Sequence, residues 1–543
     1  MSDVADRGSI ADRFEQSVSR WGDQDFLCVT PQTAGYYRCE PLTWTFSQTA
    51  GRVAHVRQQY EGLGVGAQSR VGVALDNRPD FFVHLLALNG LGASVVPLNA
   101  GMQNAELAYL ITHSECVLLT VYADYRERFA TLAQGLASPV PVATPATLEA
   151  VTLPARRAPQ RGENLTEAAV IYTSGTTGQP KGCVLSNDYF RYVGRFYSEI
   201  GGLCTFRAGD RLMTPLPVSH MNALATSFMG CMETGSCLIQ LDRFHPGNYW
   251  DTVRESGATI IHYLGVMPAL LLAAPEAASD PIGGQVRFGF GAGCDPRHHA
   301  RFEARFGFPL TEAWAMSETG AGAWITASHE PRHVGQRCFG KAPEGLDYQL
   351  VDEQGSEVPA GAVGELLVRR SGRQPRQFFF SGYLKDEAAT RDAWADGWFH
   401  TGDEVRVDEA GSFFFVDRRK NIIRRSGENI AALEVETVLL RHPDVTQCVV
   451  TAVPDEMRGD EVAALVITDA DNTEALAEAL FQSASSDLVY YKAPGYIAFV
   501  EKLPLTASEK VKRGDVKRLA ADVVSAGACF DFTARKKPPR PAA

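Results

Sequence analysis

The sequence predicts an α/β protein with a large domain followed by a smaller one. Three observations carry this. Strand-like apolar runs alternate with helical runs from Ser9 to about Val151. A buried-type strand, Ala168–Tyr172, runs straight into a Gly/Thr-rich loop. A compact unit of strands and helices follows a basic stretch after Asp417. Strands alternating with helices imply layered parallel sheets.

Ser9 opens an amphipathic helix, with Ile10, Phe14, Val18 and Trp21 at helical spacing. Asp12 completes a capping-box pattern there. Val71–Leu75 and Ser94–Leu98 are expected as strands flanking a helix over Pro79–Leu91, and Val117–Val121 as a further strand. Leu153–Glu167, rich in Pro, Arg and polar residues, is expected as a surface connection. More α/β alternation runs from Arg211 to about Ser328. From His333 to Asp417 short strands such as Gly364–Arg369 and Ser412–Val416 alternate with Gly-rich turns, which predicts a small barrel or antiparallel sheet. In the last unit, helices are expected near Ala431–Arg441 and Thr473–Ser485, and strands near Thr446–Val453 and Glu461–Ile467. The boundaries this implies are 1–418, 419–530 and a disordered, basic, Pro-rich tail at 531–543.

Composition narrows the function. The 543 residues are 45% hydrophobic and 21% charged, as in an ordinary globular protein. A formal net charge of -12 argues against a nucleic-acid binder, which needs positive surface to replace counterions. Eleven cysteines without CxxC spacing predict reduced thiols, not a disulfide framework or zinc site. The first ten residues lack an apolar signal core, and no apolar run approaches the ~20 residues of a membrane span. A cytoplasmic protein is the expectation. His298 and His299 are adjacent, not at metal-ligand helical spacing, and are expected on the surface.

The chemistry concentrates in Tyr172–Gly182, YTSGTTGQPKG. Glycines let backbone N–H groups close on phosphate oxygens. Ser174, Thr176 and Thr177 add hydroxyl donors, and Lys181 adds a point charge. The spacing is GxxGxxKG, not the GxxxxGK[ST] of the P-loop NTPases, and no hydroxyl follows the lysine to hold Mg²⁺.

These eleven residues resemble the phosphate-binding signature of the adenylate-forming superfamily of acyl-CoA synthetases, nonribosomal adenylation domains and luciferases. Further family-like stretches follow in order: Leu91–Leu98, Pro215–Ala223 (PLPVSHMNA), Glu312–Thr319 (EAWAMSET), Gly364–Leu366, Phe399–Asp403 (FHTGD), Val416–Glu436 and Pro504–Arg513 (PLTASEKVKR). SHMNA together with RRSGENIAALEVE most resembles the carnitine/crotonobetaine-CoA ligase subgroup.

The resemblance implies a large domain of two α/β layered subdomains plus a small β-barrel, then a mobile α+β domain. It implies an AMP-forming acid–thiol ligase: a carboxylate attacks the α-phosphate of ATP, and the thiol of coenzyme A displaces AMP. Partners would be a small carboxylic acid, ATP and CoA, with Mg²⁺ as cofactor, no nucleic acid and no membrane span; a homodimer is the oligomeric expectation. The nucleotide is expected against Thr173, Ser174, Gly175, Thr176, Thr177, Gly178, Lys181, Ala292, Gly293, Glu312, Ala313, Trp314, Ser317, Asp403, Arg418 and Lys510. Catalysis would draw on Lys510, Thr177, Glu318 and His220, with Glu318 the metal carboxylate. Asp403 and Arg418 match the pair that hold the ribose, and Lys420 matches the hinge. His220 is read as a gate between acyl pocket and thiol tunnel, because a carboxylate substrate is already ionised near neutral pH.

The acyl pocket would use His220, Asn222, Gly291, Ala315 and Met316, and the CoA tunnel Ser426, Gly427 and Glu428. No isolated buried charge in these segments names a charged acyl group. Three positions depart from the family pattern: Trp314 replaces the usual adenine-stacking tyrosine, Ala315 a glycine, and Glu509 the glycine before Lys510. Two alternatives remain beside the ligase: a stand-alone enzyme loading a carrier protein, and a non-catalytic nucleotide-binding relative.

Overall fold

In the computed structural model, the described residues are 8–153, 167–173, 179–294, 296–352, 354–418, 422–470, 473–504 and 513–536. The helix Ile10–Trp21 begins as its sequence predicts. Asp12 N donates to Ser9 Oγ at 3.0 Å, and Ser9 N donates to the Asp12 carboxylate at 2.7 Å. Two otherwise orphaned donors at the helix start are thereby satisfied.

Two sheets build the large domain. One has seven strands in the order Gly382–Tyr383, Lys181–Ser186, Glu167–Thr173, Ser94–Pro97, Arg70–Ala74, Leu118–Val121, Val142–Ala143. The strands from Glu167–Thr173 to Val142–Ala143 are parallel; the first two join antiparallel. The other sheet has thirteen strands. At its centre Cys237–Gln240, Arg211–Thr214, Ile260–Leu264, Phe288–Ala292 and Leu310–Trp314 run parallel. The antiparallel strands expected between 333 and 417 are present, and they extend this same sheet through Ile325–Thr326.

Helices fill the space between the sheets. The helix Pro79–Gly90 has Phe81 through Asn89 buried, so it is apolar on every side, as a helix between two layers must be. Phe82 stacks on Phe228 from the other sheet's helices, with ring centroids 4.4 Å apart. Burying each such ring contributes ~1.5–3 kcal/mol. His84 and Asn89 are the polar exceptions, and both are satisfied: His84 Nδ1 pairs with Tyr60 Oη at 2.7 Å, while the Asn89 amide donates to Asn187 Oδ1 at 2.8 Å and its oxygen accepts from Ala11 N at 3.0 Å. That cluster joins three helices drawn from both halves of the domain.

The last strand of the large sheet ends at Arg418, and the first of a separate six-stranded sheet begins at Ile422. The small sheet packs Ala432–Leu439, Glu474–Asp487 and Arg513–Ser525 around cores of its own. Residues 531–536, expected in a tail, are packed instead. Phe532 stacks on Phe481 at 4.6 Å, and Lys536, fully buried, pairs with Glu461. An aromatic ring and a bonded lysine outweigh a composition that reads as disordered. All eleven cysteines are unbridged. No described helix is long and apolar enough to cross a membrane.

Candidate active site

The parallel strands of the large sheet deliver their C-terminal ends to one edge, where open α/β sheets bind ligands. Gly291 pairs with Glu312 on neighbouring strands, so Ala292–Gly293 and Ala313–Trp314 emerge side by side. Gly293 has φ +76°, which only glycine adopts freely. A Cβ on Gly291 would lie 2.2 Å from Tyr263 O, so the backbones meet too closely for any side chain.

Glu312 serves this edge from beneath. Its carboxylate accepts from Tyr263 Oη at 2.6 Å, Gly293 N at 2.8 Å and Cys294 N at 3.0 Å. The carboxylate thus braces the Gly293–Cys294 turn. Next to it, Trp314 Nε1 donates to Asp403 Oδ2 at 2.9 Å, both residues being buried. Asp403 in turn sits directly opposite Arg418 in the antiparallel register. The two residues matched to ribose recognition are therefore cross-strand neighbours, with the indole holding the carboxylate from a third strand.

A second cluster gathers where the seven-stranded sheet meets this edge. Glu318, 7% exposed, accepts from Tyr383 Oη at 3.0 Å. Lys181 Nζ lies 4.9 Å from the centre of the Tyr383 ring. Burial raises the Tyr383 hydroxyl pKa, and the Glu318 charge adds to it, so the phenol stays a donor. A carboxylate held by neutral donors, the Tyr383 hydroxyl and the Cys183 thiol, near a cation suits a hard metal ion bound mainly by phosphate oxygens and water. Tyr383 went unnoticed in the sequence, where SGYLKDE carries no signal beyond turn residues. Ser317 anchors the same loop, its carbonyl accepting from Tyr189 Oη at 2.9 Å.

At the mouth, the small domain meets the large one. His220 Nε2 lies 3.7 Å from Glu428 Oε2. Desolvation opposes protonation of His220, but the facing Glu428 carboxylate prevails and raises its pKa. The turn before Glu428 has Ser426 at φ +53° and Gly427 at φ +85°; a Cβ on Gly427 would lie 2.4 Å from Leu264. His220 and the residues 426–428, more than two hundred positions apart, are thus brought together. Ala313, at the end of the same strand as Trp314, and Ala315 and Met316, just after it, are half-buried. Thr173 ends its strand at the edge of the described residues. Ser174, Gly175, Thr176, Thr177, Gly178, Lys420 and Lys510 lie outside the described residues, as does the side chain of Arg418.

His299 departs from expectation. It is 4% exposed, not on the surface. Its Nε2 lies 3.1 Å from Glu303 Oε1, and Arg332 reaches the same carboxylate at 2.7 Å. Helical spacing from His299 to Glu303 was the available signal; adjacency to His298 obscured it.

A family model described as AMP-binding enzyme matches residues 14–384, and one described as AMP-binding enzyme C-terminal domain matches 434–510. The chain belongs to the AMP-binding enzyme family. The expected resemblance and the α/β fold of large and small domains both stand. This family member is an AMP-forming ligase of the adenylate-forming kind. Its curated relatives include a crotonobetaine/carnitine–CoA ligase of Salmonella paratyphi A, 27% identical over 532 residues, covering 95% of this chain and 100% of that protein. One from Shigella sonnei is 28% identical over 470 residues, 84% of this chain and 89% of that one. Among solved structures, o-succinylbenzoate CoA synthetase of Bacillus subtilis superposes with a TM-score of 0.79 at 21% identity, covering 93% of this chain and 98% of that one. Amide bond synthetase McbA of Marinactinospora thermotolerans also gives 0.79, at 24% identity, with 94% and 99% covered. These likenesses establish the shared fold of the AMP-binding enzyme.

Proposed function

We propose that the enzyme joins a small carboxylic acid to coenzyme A at the expense of ATP, with Mg²⁺ as the metal. One observation supports this reading: Asp403 is held by Trp314 at the end of a central parallel strand, and the 426–428 turn of the small domain meets the large domain at Leu264 and His220.

In this reading Asp403, oriented by Trp314, and Arg418 hold the ribose. Lys181 and the loop 174–178 take the phosphates. Glu318 would ligate Mg²⁺, kept in place by the Tyr383 hydroxyl. The ion, when bound, neutralises phosphate charge, which is the main electrostatic demand of attack at phosphorus. Lys510 would add positive charge at the α-phosphate and withdraw when the small domain turns about Lys420. His220, held by Glu428, would separate the acyl pocket from the incoming thiol.

The test is pyrophosphate release over a panel of carboxylic acids, with thioester formation measured with and without CoA. Acid-dependent pyrophosphate release and a CoA-dependent thioester are expected. Acyl-AMP formed but transferred only to a carrier protein would replace CoA as acceptor. Silence with every acid would end the ligase reading.

A further inference from the structure

Beneath the proposed acyl pocket lies a polar chain that the adenylation chemistry leaves unused. It rests on that ligase reading and deepens it. The segment after His220 forms a π-helical turn, Asn222–Ser227. Such turns are rare and concentrate at functional sites. This one sets Asn222 against His262, which is fully buried on the central strand Ile260–Leu264.

The hydrogen bonds determine which way the Asn222 amide faces. Tyr197 is fully buried, and His262 Nε2, at 2.7 Å, is the hydrogen-bond partner of its hydroxyl among the described residues. A buried O–H must donate. Tyr197 therefore donates to Nε2. Burial pushes the His262 pKa down to about 3, so the ring is neutral and its single N–H sits on Nδ1. That N–H faces Asn222 Oδ1 at 2.8 Å, with Ser227 Oγ at 3.0 Å. Turning the amide over would set donor against donor. The oxygen of Asn222 thus points to His262, and its NH₂ points away from it.

That NH₂ has no protein acceptor among the described residues, and it is not one of the buried unpaired atoms. Asn222 is half-buried, two residues from His220 at the cleft mouth. The four members Tyr197, His262, Ser227 and Asn222 are all neutral. A charged acyl group would find no counter-charge among these four side chains, and desolvating it against them would be costly.

The geometry points to an acyl substrate bearing a neutral hydrogen-bond acceptor, such as a hydroxyl or keto oxygen, which the Asn222 amide reads. His262 and Tyr197 are positioning residues that fix the amide's direction. A site built to bond an oxygen rejects the analogue that lacks it far better than an apolar pocket rejects an extra methylene.

The experiment measures pyrophosphate release by the full-length enzyme with matched acids of four to eight carbons: the alkyl acid, its hydroxy and keto forms, the diacid, and a trimethylammonio acid. The wild type should favour a hydroxy or keto acid over its alkyl parent by roughly tenfold or more in kcat/KM. Asn222→Leu should bring that ratio close to one, and Asn222→Asp should raise turnover of the trimethylammonio acid relative to the others. Because both acids of a pair are measured on one preparation, a loss of folded enzyme cancels from the ratio. A diacid or trimethylammonio acid as the best wild-type substrate would overturn the inference. So would a ratio that Asn222→Leu leaves unchanged, in either case with the ligase reading intact. Absence of turnover with every acid would overturn both together.

Discussion

Lys492 Nζ lies 2.8 Å from Glu106 Oε1, an ion pair between residues 386 positions apart that crosses from the small domain to the large. The same ammonium lies 2.7 Å from Glu434 Oε1, and all three side chains are at most 10% exposed. Desolvation works against the charged lysine, but the two carboxylates prevail and raise its pKa. Removing the cation would leave two carboxylates facing each other out of water.

Lys492→Met is therefore expected to loosen the junction. Breaking a buried ion pair costs ~3–5 kcal/mol. The observed domain orientation also sets Glu428 against His220, so thioester formation from supplied acyl-AMP should fall more than acyl-AMP formation. Equal effects on the two half-reactions, or none, would show that the pair does not govern the orientation.

Trp314→Phe keeps a ring but deletes the N–H that bonds Asp403 at 2.9 Å. Hydrogen bonds to charged groups are worth ~1.5–3 kcal/mol. KM for ATP should rise about tenfold to a hundredfold, while KM for the acid stays nearly constant. Discrimination between ATP and 2′-deoxy-ATP should shrink, an effect that a general loss of packing would not produce. Unaltered ribose discrimination would detach the indole from ribose binding.

Gly427→Ala places a Cβ 2.4 Å from Leu264 in a backbone at φ +85°. The turn must shift, and the CoA-side half-reaction should drop by at least about tenfold, with acyl-AMP formation retained. Ser426 already carries a side chain at φ +53°, so Ser426→Gly should relieve strain there and raise thermal stability slightly. A destabilised Ser426→Gly would mean the serine is held by contacts that outweigh its backbone.

The fourth expectation concerns acid. Burial raises the pKa of Glu303, but bonds from His299, Arg332 and the Leu310 backbone outweigh it and pull the pKa down to about 2. A depressed carboxylate stabilises the fold above its unfolded pKa, and this is lost as pH falls through the folded value. The window here runs from about 4.5 down to about 2. Glu303→Gln should weaken the protein near neutrality and flatten its stability loss across that window. Chemical denaturation at several pH values reads this directly; parallel wild-type and variant curves would refute it.

Much of this protein was legible along the chain, because its signals are local. Ser9 and Asp12 cap a helix within four residues. The strand Glu167–Thr173 follows from a run of apolar residues, and the family from motifs that are contiguous stretches. The fold class and the AMP-binding character needed nothing more. Other features arise only when distant strands meet. Glu312 lies in a motif matched to nucleotide binding, and its carboxylate braces the Gly293–Cys294 turn while Tyr263 reaches it from two strands away, a meeting that no local pattern reports. His299 looked like a surface residue until Glu303 and Arg332 enclosed it. The tail-like residues to Lys536 fold back because Glu461, 75 positions earlier, supplies a buried partner. Sequence patterns report the periodicity and backbone chemistry of single segments. Hydrogen bonds and ion pairs across segments depend on which strands lie side by side and in what register, and that is decided only when the sheets assemble.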